Sequence, residues 1–182
     1  MPAPPEPRPC PAVCTVGHST LSAEAFVALL SAHAIEVLVD VRTIPRSRRN
    51  PQFDRDVLPA TLEAAGIEYC HAPDLGGLRK PRLYSPHTAW TNPSFRGYAD
   101  HMDTPAFAQA LDALIVLARE RSAVVMCAEA VPWRCHRSLI ADALVARGVE
   151  TRHIHDARRA EPHRLTPFAR IVGARVAYPG LG

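Results

Sequence analysis

The segment CAEAVPWRCHR, residues 127–137, holds two cysteines, a glutamate, a histidine and two arginines. A cysteine ending a strand, followed by a loop and an arginine-bearing helix start, has the layout that lowers a thiol pKa and makes a nucleophile. Glu129 sits poorly in an anion cradle around Cys127, and a small buried cysteine can also close a strand with no chemical role. Cys127, Cys135 and His136, with His18 or Asp40 added, form an alternative metal or redox set. Zinc thiolates usually come as tighter CxxC pairs than this spacing offers. His136, flanked by Arg134 and Arg137, suits anion binding, because arginines in a first helical turn oppose the macrodipole and an anion offsets them.

Three further groups belong beside this segment. GHST, residues 17–20, opens a helix, so free N–H groups and the Ser19 hydroxyl could hold an anion, or simply cap the helix. Asp40 ends an apolar run and Arg42 follows it. That carboxylate could be a base, a metal ligand or a clamp for Arg42. Arg46 lies just beyond. Trp90, Trp133, Tyr84 and Tyr98 could stack a nucleobase, although aromatics in such places more often pack a covering segment.

These residues need a scaffold that gathers them. Val13–Gly17, Ile35–Val41, Ile67–His71, Ala123–Met126 and Val149–Ile154 read as strands. Phe26, Leu29 and Leu30 predict a helix near 22–33 behind an N-cap at Ser22. Pro59 to Gly66 predicts another. Thr104-Pro105, then Phe107, Leu111, Leu114, Ile115 and Ala118, predict a long helix. Leu139, Ile140, Ala143 and Leu144 predict one more, closing at Gly148. Leu165, Phe168, Ile171 and Val172 suggest a short C-terminal helix. Residues 72–103 are too long for an ordinary connection and read as an insert with a short helix near 93–102, forming a lid. The expectation is an α/β, three-layer Rossmann-like domain over residues 13–182, with a mainly parallel sheet of about five strands. Residues 1–12 carry six of eighteen prolines and read as a flexible tail. In such a sheet ligands bind at the carboxyl ends of strands, where the chain direction switches. With strands one and four adjacent, His18, Ser19, Cys127 and Glu129 share one crevice.

Composition bounds the rest. The chain has 182 residues, 47% hydrophobic and 21% charged, which is a folded composition with room for a core. No apolar run approaches a membrane span. The start lacks a secretory signal pattern, and five irregularly spaced cysteines suit reduced thiols, so a cytoplasmic location is expected. Basic charge concentrates in residues 42–56, 79–82 and 157–182, on an otherwise acidic body. Such patches suit an anionic small molecule, a nucleotide or nucleic acid, or are solvated loop arginines.

TVGHST, VDVRTIPRS, Phe53, IEYCHAPDLGG, GYADHM and CAEAVPWRCHRSLIADAL, with the trailing His153-Ile154, together resemble the bacterial "domain of unknown function 488" family. The resemblance runs from about Val13 to His155. It implies a compact α/β domain with these motifs gathered at one site: His18, Ser19, Asp40, Arg42, Tyr98, Cys127, Glu129, Cys135, His136 and Arg137. It names no reaction and no cofactor. The preferred expectation is a small enzyme acting on a phosphate-bearing or nucleotide-like substrate. His18, Asp40, Cys127 and Glu129 would be its catalytic groups, and Ser19, Arg42, Arg46, Tyr98, Arg134, His136 and Arg137 its binding groups. A nucleic-acid-binding accessory domain and a Cys/His metal or redox site are the alternatives.

Overall fold

The computed structural model describes residues 12–181, so all of the proline-rich tail but Ala12 lies outside the described residues. Strands and helices alternate as β1 (Val13–Gly17), α1 (Ala23–Ala32), β2 (Val37–Asp40), α2 (Leu58–Glu63), β3 (Glu68–His71), α3 (Pro93–Met102), α4 (Pro105–Glu120), β4 (Ala123–Cys127), α5 (Arg137–Ala146) and β5 (Thr151–Asp156). Three short strands follow: β6 (Arg159–Pro162), β7 (Arg170–Val172) and β8 (Arg175–Ala177). Local chemistry sets the helix starts. The Ser22 hydroxyl accepts the Ala25 amide, the Asn92 side chain accepts that of Ser94, and the Thr104 hydroxyl accepts that of Phe107. Proline follows directly at 93 and 105, where its missing N–H is no loss.

The fold is a Rossmann-like α/β sheet of six strands in the order β3-β2-β4-β1-β5-β6. β1 to β5 run parallel, and β6 adds antiparallel to the edge of β5. β4 lies between β1 and β2, with Gly17 opposite Cys127 and Asp40 opposite Met126. The pleat sends alternate residues to opposite faces. Val39, Val125 and Cys127 face α3, α4 and α5, packing with Leu111, Leu114 and Leu139. Leu38, Val124 and Met126 face α1 and α2, packing with Phe26, Leu30 and Leu62. Each fully buried leucine there contributes about 1.5–3 kcal/mol of transfer free energy.

Residues 72–103 hold a short turn at Pro73–Leu75 and α3. Tyr98, Ala99 and Met102 sink into the core on the α4 side, and the Tyr98 hydroxyl donates to the Leu75 carbonyl at 2.7 Å. The short C-terminal helix is not formed. Leu165, Phe168 and Ile171 do share helical spacing, but Pro167 interrupts them. Ile171-Val172 and Val176 flank Gly173, whose φ of +63° turns the chain into the β7–β8 hairpin.

Candidate functional site

The carboxyl ends of β1 and β4 meet without a gap. The His18 amide donates to the Cys127 carbonyl at 3.0 Å and the Ser19 amide to that of Ala128 at 2.9 Å. Gly17 is required here, since a Cβ would lie 1.7 Å from the Glu129 carbonyl oxygen. Ser19 leaves the seam with φ +49°, a left-handed conformation unusual for serine. From this seam, side chains depart to both faces of the sheet and form two polar clusters.

On the α1/α2 face the centre is Asp40, fully buried. Its Oδ1 accepts the Arg42 amide (3.0 Å) and Nε (2.9 Å). Its Oδ2 accepts Arg42 Nη2 (2.7 Å) and the Tyr69 hydroxyl (2.7 Å). Arg42 Nη2 also donates to the Phe53 carbonyl at 2.7 Å. The His18 ring stacks on Phe53, with centroids 4.1 Å apart. Its Nδ1 lies 2.8 Å from the Ser19 carbonyl and donates to it, which leaves the Nε2 lone pair facing Arg42 Nη1 at 3.4 Å. Burial, with Arg42 nearby, pushes the imidazole down to about 4, so His18 is neutral at physiological pH. Burial and the bond to Asp40 hold the Tyr69 hydroxyl protonated.

On the α3–α5 face the centre is Cys127. A turn at Pro132–Arg134 swings the chain back, so that Cys135 Sγ lies 2.7 Å from Cys127 Sγ. Arg137, in the first turn of α5, reaches back with Nη1 2.6 Å from the same sulfur. Nη1 also donates to the Glu129 carbonyl, and Nη2 donates to that of Ala130 at 2.9 Å. Arg137 is 1% exposed and, among the described residues, forms no ion pair with a carboxylate. A buried cation needs a countercharge, and the acid in contact with this one is the Cys127 thiol. Burial pushes that thiol up, but the Cys135 S–H and the Arg137 guanidinium outweigh it and bring the thiol down to about 7. Cys135 shifts the opposite way, because its proton is held toward Cys127 and it too is buried. His136 donates from Nε2 to the Val41 carbonyl at 3.1 Å and packs against Tyr98, with ring centroids 4.9 Å apart. Burial brings the imidazole down to about 4.

Cys127, Cys135 and His136 do converge, but the fit to a metal is poor. The Arg137 guanidinium lies where a cation would approach Cys127.

Not all expected residues come together. The Glu129 side chain is exposed and makes no hydrogen bond or ion pair among the described residues; its carbonyl is what turns inward. Arg46 is exposed and pairs with exposed Asp56 at 3.2 Å, while Arg134 is exposed. Tyr98 is a core side chain. One buried polar chain was not foreseen as a unit. Thr15 Oγ1 lies 2.6 Å from His153 Nδ1, His153 Nε2 lies 2.8 Å from His163 Nδ1, and His163 Nε2 lies 2.7 Å from Asp142 Oδ1. Asp142 also accepts the Tyr178 hydroxyl at 2.8 Å. The available signal was Asp142, an acid within the otherwise apolar helical run LIADAL.

No curated protein and no solved structure matches the chain. The matched family model spans residues 22–144, which takes in Asp40, Arg42 and the Cys127–Arg137 segment and leaves out His18 and Ser19. The chain thus belongs to the family described as "Domain of unknown function DUF488".

Proposed function

We propose that this domain is a small redox enzyme in which Cys127 and Cys135 form a dithiol–disulfide couple. One observation carries it: two sulfurs in direct contact, one of them beside a buried guanidinium that favours its thiolate. Both sulfurs are buried, which favours a very small oxidant, a hydroperoxide. The Cys127 thiolate attacks the terminal peroxide oxygen and the O–O bond breaks. The leaving alkoxide takes the Cys135 proton, and Cys127 carries a sulfenic acid. The Cys135 thiolate then attacks that sulfur, hydroxide departs and the disulfide closes. Two electrons pass from the dithiol to the peroxide, and a low-molecular-weight thiol returns them to the protein.

Carboxylate acid–base chemistry on a phosphate-bearing substrate has weaker support. Both Asp40 oxygens are engaged, Glu129 points away, Arg42 spends its donors inside the protein, and Arg137 directs both terminal nitrogens inward while its buried Nε has no partner. Phosphate-backbone binding by the arginine-rich segments loses some of its cations to internal pairs. Arg82 pairs with Asp100 and Asp103, and Arg159 pairs with Glu161.

Reduced protein treated with stoichiometric hydrogen peroxide should lose both alkylatable thiols at 127 and 135 and the mass of two hydrogens. Cys135→Ser should instead accumulate a sulfenic acid at Cys127 that a dimedone-type probe traps. Retention of both thiols in the wild type sinks the proposal.

A further inference from the structure

A cavity of about 800 Å³ opens between the first turn of α5, the β5–β6 hairpin and the loop that follows β6. That volume falls within the range of small-molecule sites. Its walls are mainly rings. Trp133 contributes an indole that is 70% exposed, and Trp90 and Phe168 meet edge-on nearby, with centroids 4.8 Å apart. His153 and His163 also line it. Their nitrogens are committed to one another, to Thr15 and to Asp142. Thr15 Oγ1 meets His153 Nδ1, His153 Nε2 meets His163 Nδ1, and His163 Nε2 donates to Asp142. Both rings are therefore fixed, and burial holds His153 far below its usual pKa and neutral. They offer a ligand rigid ring surface and no free proton.

The charged groups at the rim differ in what they have left to give. Glu161 is already paired with Arg159 and with His155. Arg164 is exposed at the same rim and forms no ion pair among the described residues. The Ser138 hydroxyl turns inward to the Cys135 carbonyl at 2.9 Å, which places the cavity beside the redox pair without including either sulfur. Ring walls with one unpaired guanidinium suit a planar heteroaromatic group that carries an anion.

We infer that this cavity binds a nucleoside monophosphate, with its base against Trp133 and its phosphate on Arg164. This goes beyond the thiol chemistry and stands without it. Trp90 and Trp133 are the chain's two tryptophans and both line the cavity, so intrinsic fluorescence reports on this one place. Titration with AMP, GMP and UMP should quench it saturably, while inorganic phosphate should not. Calorimetry reads the variants. Trp133→Ala, an exposed position, should weaken mononucleotide binding roughly tenfold or more. Arg164→Gln should weaken AMP and leave adenosine unchanged. A Cys127→Ser/Cys135→Ser variant should bind as the wild type does, which separates a failure here from a failure of the redox proposal. The inference is overturned if no mononucleotide gives a saturable signal, if phosphate alone reproduces it, or if only single-stranded oligonucleotides bind. Unchanged affinity in both Trp133→Ala and Arg164→Gln overturns it equally.

Discussion

Two buried arginines stand on opposite faces of one sheet, and they are neutralised in different ways. Arg42 meets Asp40 as a fork on a carboxylate, at 2.9 and 2.7 Å, with Tyr69 and Phe53 completing the set. Arg137 meets two backbone carbonyls and a thiol. A carboxylate keeps its charge throughout the physiological range, so the first cluster is closed and holds β2 and the following loop in place. A thiol gains and loses its charge near neutrality, so the second cluster can change state. On the proposal made above, the Asp40 cluster serves as scaffold and the Cys127 cluster carries the chemistry.

The strongest way to break this contrast is Asp40→Asn. It leaves Arg42 buried without a full countercharge and should lower the unfolding free energy by about 3–5 kcal/mol, read by urea titration. A loss no larger than that of a surface substitution would remove the scaffold assignment. Next is Arg137→Met. Cys127 should lose its depressed pKa, and its alkylation at pH 7 should slow by roughly tenfold for each unit by which the thiol rises. Alkylation against pH follows in the wild type, where the rate should climb with a midpoint near 7. The folded Cys127 pKa lies below the ordinary thiol value of 9.0, so its thiolate adds stability as the pH rises from about 7 to 9. That stability is lost as the pH falls through 7. Thermal unfolding of Cys127→Ala should lack this pH dependence. The smallest effect belongs to Glu129→Gln, which should shift stability by less than about 0.5 kcal/mol and leave thiol reactivity unchanged. A large effect there would return the carboxylate to the site.

The sheet was legible because its signals were local. Thr104-Pro105 and the apolar spacing from Phe107 to Ala118 mark α4, and AVVM marks β4, with little else to compete. The C-terminal hairpin was not, since Leu165, Phe168 and Ile171 match a helical period as well as they match irregular packing, and strand pairing is a tertiary outcome. At the site, the crowding of Gly17, His18 and Cys127 followed from the adjacency of β1 and β4. The division of their side chains between two faces did not. It depends on the pleat, where a shift of one residue exchanges the faces. Glu129 shows the same limit in one residue. Its place two positions after Cys127 suggested an acid near the thiol, yet the backbone turns its carbonyl to Arg137 and its carboxylate outward. Cys127 and Cys135 lie eight positions apart, and only the Pro132–Arg134 turn closes that separation.

Gly17 gives the molecule a shared hinge of vulnerability. A single methyl group there would collide with the Glu129 carbonyl and pry the strand-four loop off its neighbour. That carbonyl is one of Arg137's anchors, and the next amide along is His18's, so the disturbance would travel to both faces together. The two clusters, so unlike in chemistry, stand or fall through one hydrogen atom's worth of space.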